Sequence, residues 1–492
     1  MLLLGALSVI FVASSIEGAK PPADPSILII GSGPSGIAAA TKLLKNGFNN
    51  FKILEAEGRI GGRIHSVKFG EAYVDLGAEF CHGEESNIVY SMVKDLNLLK
   101  PTGIKGSFFI SNGEEAENST KQKIMDFAEK LNSNNDPIPG CENVTSVGDC
   151  LDIKFKTLVE SGKDDKEKEV LSNTMDTITS YISGYDSPLD LHDLKSTTLF
   201  QTSKGDQTLN WDGHGYKTIL EIMMQKYPDP TKQLPIDDKI LLSHKVANVS
   251  WQDGNKVKVV TENNTMFEAD HVIFTPSLGV LKASHQHIFK PQLPEEKIEA
   301  IKNMGYGAIA KVIVHFPERW WGNTTWWSFI WTKEDREKLT EMNLSWLRDI
   351  SAFVQAENNP NVLVVWVAGG FVPYIETLSE DKVMEGVKYL INTFLPTHFN
   401  VTMPDTLIRT NWYSNPNFKG TYSYESTKGY LAGGKNLQEK LGKPLKDKDG
   451  KPVVLFAGEA THPYYFSTVH GAIETGYREA DRLIHWHKKY IL

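Results

Sequence analysis

The chain has 492 residues, too many for one hydrophobic core, so two or three domains are expected. Its make-up, 40% hydrophobic and 23% charged, is that of a globular protein and not of a disordered or fibrous chain. A formal net charge of −9 argues against a general nucleic-acid binder and suits a cationic ligand.

An uncharged run, Leu2 to Ala13, opens the chain and is followed by small residues up to Ala19. It is short for a bilayer span, so residues 1–19 read as a secretory signal peptide and the protein as secreted, with no stable membrane association. A signal anchor is the alternative, because no basic segment precedes the run. N-x-Ser/Thr sequons at Asn118, Asn143, Asn248, Asn263, Asn323, Asn343 and Asn400 agree with export and glycosylation. Cys141 and Cys150 bracket a short polar loop and could close a disulfide in an oxidising compartment. Cys81 reads as a free, buried thiol. The C-terminal HKKYIL is neither a peroxisomal nor a retention address.

The segment SILIIGSGPSGIAAATKLLKNGFNNFKILEA predicts strand, tight turn, helix, strand. The apolar run Ile27–Ile30 suits a parallel strand covered on both faces. Gly31, Gly33 and Gly36 fit G-x-G-x-x-G, in which the three glycines serve the turn, the approach of a pyrophosphate, and close helix packing. Ser35 opens the helix, whose N-terminus offers N–H groups to phosphate. Glu55 ends the second strand, placed to accept hydrogen bonds from a ribose diol. NAD and FAD share this pattern. A second glycine turn, GRIGGR, favours FAD, with Arg59, Gly62 and Arg63 against the pyrophosphate and ribityl chain.

Three stretches, EAEGRIGGR, VDLGAEFCHG and LFAGEATHPYYFSTVHGAIETGYREADRLI, resemble the flavin-containing amine oxidase family, most of all its animal spermine and N1-acetylpolyamine oxidases. The resemblance implies an α/β fold of two domains. A discontinuous Rossmann-like FAD domain would comprise residues 25–98, 205–290 and 420–492. A substrate domain of mixed sheet and helices would comprise 99–204 and 291–419. The residues support this independently, since KILLSHKVANVSWQDGNKVKVVTENNTMFEAD reads as an antiparallel meander, with a turn at Asp253–Gly254, and HVIFTP as a buried strand returning to the nucleotide sheet. Val362–Phe371 reads as a central strand of the second domain, followed by a helix from Asp381 to Phe394.

The resemblance also implies roles. Lys311, inside the apolar run AIAKVIVHF, needs a partner and matches the lysine that the family bonds through water to flavin N5. The alternative is a lysine snorkelling from an edge strand. His82 matches a position facing the substrate, able to bind or deprotonate a polyamine nitrogen. Gly77, Ala78, Glu79 and Phe80 would pass the flavin by main chain, and Glu79 would either add charge for the substrate or pair locally. Val246 matches a backbone contact to the adenine end. Trp412 would flank the ring. Thr421 stands where monoamine oxidases carry the cysteine that attaches their flavin, so FAD should be non-covalent. Tyr422 matches one wall of the aromatic cage. The opposite wall would offer Ser467 and Thr468, where monoamine oxidases place a tyrosine, leaving room for a secondary amine. Gly458 and Glu459 would meet the ribityl chain, and the helix beginning near His470 would present Val469 N–H to the flavin carbonyl edge. Tyr185 and one of Asp186, Asp190 or Asp193 would stand on the channel wall. No metal is called for.

These readings predict a secreted FAD-dependent polyamine oxidase using O2. A secreted L-amino-acid oxidase, or a silent FAD-containing binding protein, are the alternatives. The sequence carries no signal for oligomeric state.

Overall fold

The computed structural model describes residues 24–103, 105–132, 137–252 and 254–491. The leader at 1–19 and Asp253 of the Asp253–Gly254 turn lie outside them. Ile27–Ile30 is buried at every residue because it lies inside a six-stranded sheet. The order is Leu445–Lys446, Pro452–Phe456, His271–Phe274, Ile27–Ile30, Phe51–Leu54, Ile240–Leu241. All neighbours are parallel except the first pair. The register sets Ile27 beside His271 and Phe51, so the HVIFTP strand returns to the nucleotide sheet as its pattern predicts.

The helix Pro34–Lys45 follows the glycine turn, with Pro34 in its first turn, where no hydrogen-bonding N–H is needed. Gly31 has a φ of +98°, and a Cβ on Gly36 would collide with the Gly31 carbonyl oxygen. Only glycine lets this helix start so close to the strand end. The C-terminal helix Val469–Ile491 packs alongside it, closing the same face of the sheet. The meander forms on the other flank from Val246–Ser250, Val257–Thr261 and Met266–Ala269.

A second six-stranded sheet runs Thr406–Arg409, Ile309–His315, Val362–Ala368, Ile350–Gln355, Trp326–Ile330, Gly106–Ile110, antiparallel but for the last pair. Val362–Ala368 is interior to it, and the helix Glu380–Phe394 follows. Its core is rich in aromatics, with Trp321, Trp327 and Trp346 almost wholly buried. Ile309–His315 is not an edge strand, since it pairs on both sides, so the snorkelling alternative for Lys311 fails. Helices Asn118–Asn132, Val147–Glu160, Asp165–Ser172 and Met175–Asp186 pack beside this sheet around Ile124, Leu151 and Ile178. Cys141 and Cys150 lie in disulfide geometry, their Cα atoms 5.6 Å apart, at the start of the second of these helices.

Of the sequon asparagines, Asn248 differs from the rest. Its amide donates to the Ile288 carbonyl at 3.2 Å from a half-buried strand, whereas Asn118, Asn143, Asn263, Asn323, Asn343 and Asn400 are exposed. Cys81 is free and buried, and burial pushes its thiol up to about 12. No helix among the described residues is long and apolar enough to cross a membrane.

Candidate active site

A cavity of about 750 Å³ opens beyond the carboxyl ends of the parallel strands and continues across the second sheet. Its first part is made by the two glycine turns and the strand ends: Gly31, Gly33, Ser35, Glu55, Gly62 and Arg63. Val246 and Gly458 flank them. Glu55 is held by the Ser32 N–H and hydroxyl, at 2.7 and 2.6 Å, and by the Glu57 N–H at 2.8 Å. These bonds fix the carboxylate at the rim of the turn.

Three of the residues expected at the cofactor already have partners within the protein. Arg59 does not line the cavity. Its guanidinium donates to the carbonyls of Ile60, Gly62 and Ile64 and so staples the second glycine turn from behind. Glu459 does line it, but its carboxylate is already satisfied by Arg63 Nη1 at 2.9 Å, Ser423 Oγ at 2.7 Å and Ser467 N–H at 2.8 Å. It organises the wall, with Oε2 taken by the two serines and Oε1 bonded to Arg63. Arg63 is likewise engaged, donating to Glu459 and, at 2.5 Å, to the Thr421 carbonyl.

The middle of the cavity is crossed by Gly77–Phe80 on one side and by Thr421, Tyr422 and the start of the C-terminal helix on the other. Trp412 is pinned by a bond from its indole N–H to the Leu76 carbonyl at 2.9 Å. Tyr422 donates its hydroxyl to the Gly184 carbonyl at 3.1 Å, which sets the ring on the cavity wall. That helix begins at Val469, one residue before the predicted His470. Thr468 caps it: its oxygen accepts from the Gly471 N–H at 3.0 Å and its hydroxyl donates to Tyr465 O at 2.7 Å. The Ser467 hydroxyl donates to the Ser423 carbonyl, with Ser467 itself at φ +68°. Both hydroxyl protons are therefore committed to the backbone. Ser467 and Thr468 make the wall small, as expected, but they are not free donors to an amine.

Lys311 reaches the cavity from its strand with a side chain only 4% exposed. Its ammonium donates to the carbonyls of Asp75 and Gly77, each at 2.9 Å, and to Glu79 Oε2 at 2.6 Å. The partner that burial demands is thus Glu79, and all three N–H bonds are made within the protein. His82 opens onto the cavity, with its side chain accessible there. Its Nδ1 lies 2.7 Å from the Gln207 carbonyl, which can only accept, so Nδ1 carries the proton and Nε2 keeps its lone pair. Burial lowers the pKa of this ring and keeps it neutral.

Tyr181, Tyr185, Asp186 and Trp326 also line the cavity. Tyr185 is largely exposed, its hydroxyl 3.0 Å from that of Tyr181. Burial, and then the Glu425 carboxylate, raise Asp186 to about 6. The structure thus separates the three candidates, since Asp190 and Asp193 do not line the cavity.

Residues 34–484 match the flavin containing amine oxidoreductase family. The chain belongs to that family. The human peroxisomal N(1)-acetyl-spermine/spermidine oxidase is 28% identical over 94% of this chain and 96% of the relative. Probable polyamine oxidase 5 of Arabidopsis thaliana is 27% identical over 94% and 98%. A redesigned double mutant of putrescine oxidase shares the fold, with a TM-score of 0.64 at 16% identity over 94% of this chain and 99% of that one. The protein is accordingly an FAD-dependent amine oxidase of mixed α/β fold.

The residues of this amine oxidase fit the cofactor on their own evidence. Gly33 has an ordinary φ of −68°, and a Cβ on it would meet nothing nearer than 3.9 Å, in the gap between the two glycine turns. The protein's own packing does not require a glycine there, whereas a pyrophosphate in that gap would. Among the described residues no cluster could hold a metal ion.

Sequence reasoning missed Trp366, Gln207 and His470 in this oxidase. Trp366 is the cross-strand partner of Lys311, its ring 4.2 Å from the lysine nitrogen and stacked on Phe80 at 6.3 Å. Alternation along VLVVWVA could have placed it on a face but not on a cavity. Gln207 acts through its backbone, which leaves no sequence signal. His470 is 3% exposed on the cavity wall, and burial lowers its ring to about 3.

Proposed function

We propose that this enzyme oxidises polyamines at a secondary amine with O2, yielding aldehyde, amine and hydrogen peroxide. The observation that carries the reading is Asp186. Among the acidic side chains on the cavity wall, Glu55, Glu79 and Glu459 are hydrogen-bonded within the protein, and Asp186 makes no such bond among the described residues. It lines the cavity beside Ser187, whose hydroxyl donates to the Tyr422 carbonyl, and there it would hold one ammonium of a long substrate while another nitrogen meets the reaction centre. The names of the human and Arabidopsis relatives support the same substrate class.

Bound FAD supplies the two-electron acceptor. The protein's part is to place and prepare the amine. A neutral His82 with its Nε2 lone pair is suited to take a proton from a substrate ammonium, since only the free amine gives up hydride readily. Tyr422 supplies an aromatic face, and the small Ser467–Thr468 wall leaves space for substituents on both sides of the nitrogen. Thr421 carries no thiol, so the flavin is held without a covalent link. We assign the FAD domain to 25–98, 205–290 and 420–492, and the substrate domain to 99–204 and 291–419. We assign the protein to the secretory route, on the exposed sequons and the Cys141–Cys150 geometry.

An L-amino-acid oxidase would need a free cation for the substrate carboxylate. The only guanidinium on the described cavity wall is Arg63, engaged by Glu459 and Thr421. The test is anaerobic flavin bleaching with spermine, spermidine, N1-acetylspermine, a simple monoamine and leucine. The expected result is fast bleaching by one or more polyamines and none by leucine. Bleaching by leucine alone would overturn the reading, and none by any amine would point to a silent binding protein.

A further inference from the structure

Lys311 and Glu79 form an ion pair on the wall where the substrate nitrogen must approach, with side chains 4% and 16% exposed. A lysine there without a countercharge would repel every substrate ammonium. The geometry identifies what prevents this. Two of the three lysine bonds go to neutral carbonyls, of Asp75 and Gly77, and only Glu79 brings a countercharge. The neighbouring Asp75 carboxyl accepts from the Tyr216 N–H at 3.1 Å and from Ser66; it feels the Lys311 charge, but burial raises it to about 7, so it is a weaker countercharge than Glu79. The Trp366 ring closes another side of the ammonium. Glu79 is also the more exposed partner and itself lines the cavity.

We propose that Glu79 is a specificity-determining residue, whose carboxylate cancels the Lys311 charge and so lets a multiply charged amine enter the reaction end of the cavity. The inference rests on the polyamine reading and deepens it. A second consequence follows from the same charge. Without Glu79, the uncompensated ammonium would favour the electron-rich reduced flavin, so the pair also sets the flavin midpoint potential.

The test uses the flavin-loaded protein and ligands that cannot be oxidised at nitrogen. Decanol, decyltrimethylammonium and decamethonium carry no, one and two positive charges, and their binding is read by perturbation of the flavin absorbance. In Glu79→Gln the dissociation constant is expected to rise roughly tenfold for decamethonium, less for the monocation, and not for decanol. The midpoint potential should rise by about 30 mV, a tenfold shift of a two-electron equilibrium. The double variant Glu79→Gln/Lys311→Met should restore decamethonium binding. Unchanged cation binding and potential in Glu79→Gln, or no restoration in the double variant, would overturn the proposal. Should Glu79→Gln not fold with flavin, Lys311→Met alone leaves the carboxylate uncompensated. It must then tighten decamethonium and lower the potential, and the opposite result would sink the idea. None of these readouts needs turnover, so a protein inactive on all polyamines would defeat the substrate reading while leaving the role of the pair decided separately.

Discussion

Asp186 ends the helix Met175–Asp186, and Ser187, in the left-handed region at φ +61°, turns the chain away and leaves the carboxyl on the cavity wall. Because burial raises it to about 6, it is charged above that pH and neutral below it. The sign follows directly: as pH falls through about 6, the anchor for a substrate ammonium is lost. The kcat/KM for spermine should therefore carry an acid limb near pH 6 that Asp186→Asn removes, with a rise in KM of roughly tenfold and an unchanged flavin spectrum. A pH-rate series on both proteins checks this. An acid limb persisting in the variant would remove Asp186 from the role. At this scale residue type was legible in the sequence, but occupancy was not. Lys311 in an apolar run announced that it needed a partner, yet nothing in the chain between Glu79 and Lys311 says that the two meet. Glu459 and Arg59 illustrate the converse, since their charges are readable while their existing partners, Ser423, Ser467 and the carbonyls of the second glycine turn, come from the fold.

The C-terminal helix is where an element does the work of several residues. Its first turn faces the cavity, and its start is set by three contacts: the Thr468 cap, the left-handed Ser467, and the bond from Ser467 N–H to Glu459. An N-cap of this kind contributes about 1 kcal/mol. Thr468→Val should cost that amount in denaturant unfolding and weaken FAD binding, whereas Thr468→Ser, which keeps the oxygen, should change neither. A flavin titration with the two variants distinguishes capping from the mere size of the wall. Equal FAD affinity in wild type and Thr468→Val would show that the cap does not shape the flavin site. The elements themselves were largely readable. Ile27–Ile30, Pro34–Lys45, His271–Phe274, Val362–Ala368 and Glu380–Phe394 follow from apolar period, glycine and proline placement, and capping residues. From sequence the serine-threonine pair before the helix reads as a binding surface, because capping and binding use the same atoms. The choice between them depends on where Tyr465 O and Gly471 N lie.

The cavity spans the two large sheets, so a cofactor bound in it touches segments far apart in the chain, from Gly31 to Val469. Removing FAD should therefore lower the stability of the whole protein and not only of the nucleotide sheet. With free FAD at a hundredfold its dissociation constant, linkage predicts about 2.7 kcal/mol of added stability. Calorimetry of apo and reconstituted protein checks this. A Tm independent of FAD concentration would mean that the flavin is not held by these elements. By itself the sequence determined the things that local chemistry controls: the glycine turns, the strand and helix periods, the acidic strand end at Glu55, and the motifs that mark a flavin amine oxidase. Those are set within about ten residues, where backbone conformation and burial pattern leave direct traces. Only the tertiary structure decided which charges are spoken for. Lys311 with Glu79, Glu459 with Arg63, and Asp186 left unbonded are consequences of side chains brought together across 232 and 396 residues or kept apart, and Coulomb and hydrogen-bond energies depend on that distance in space, not in sequence.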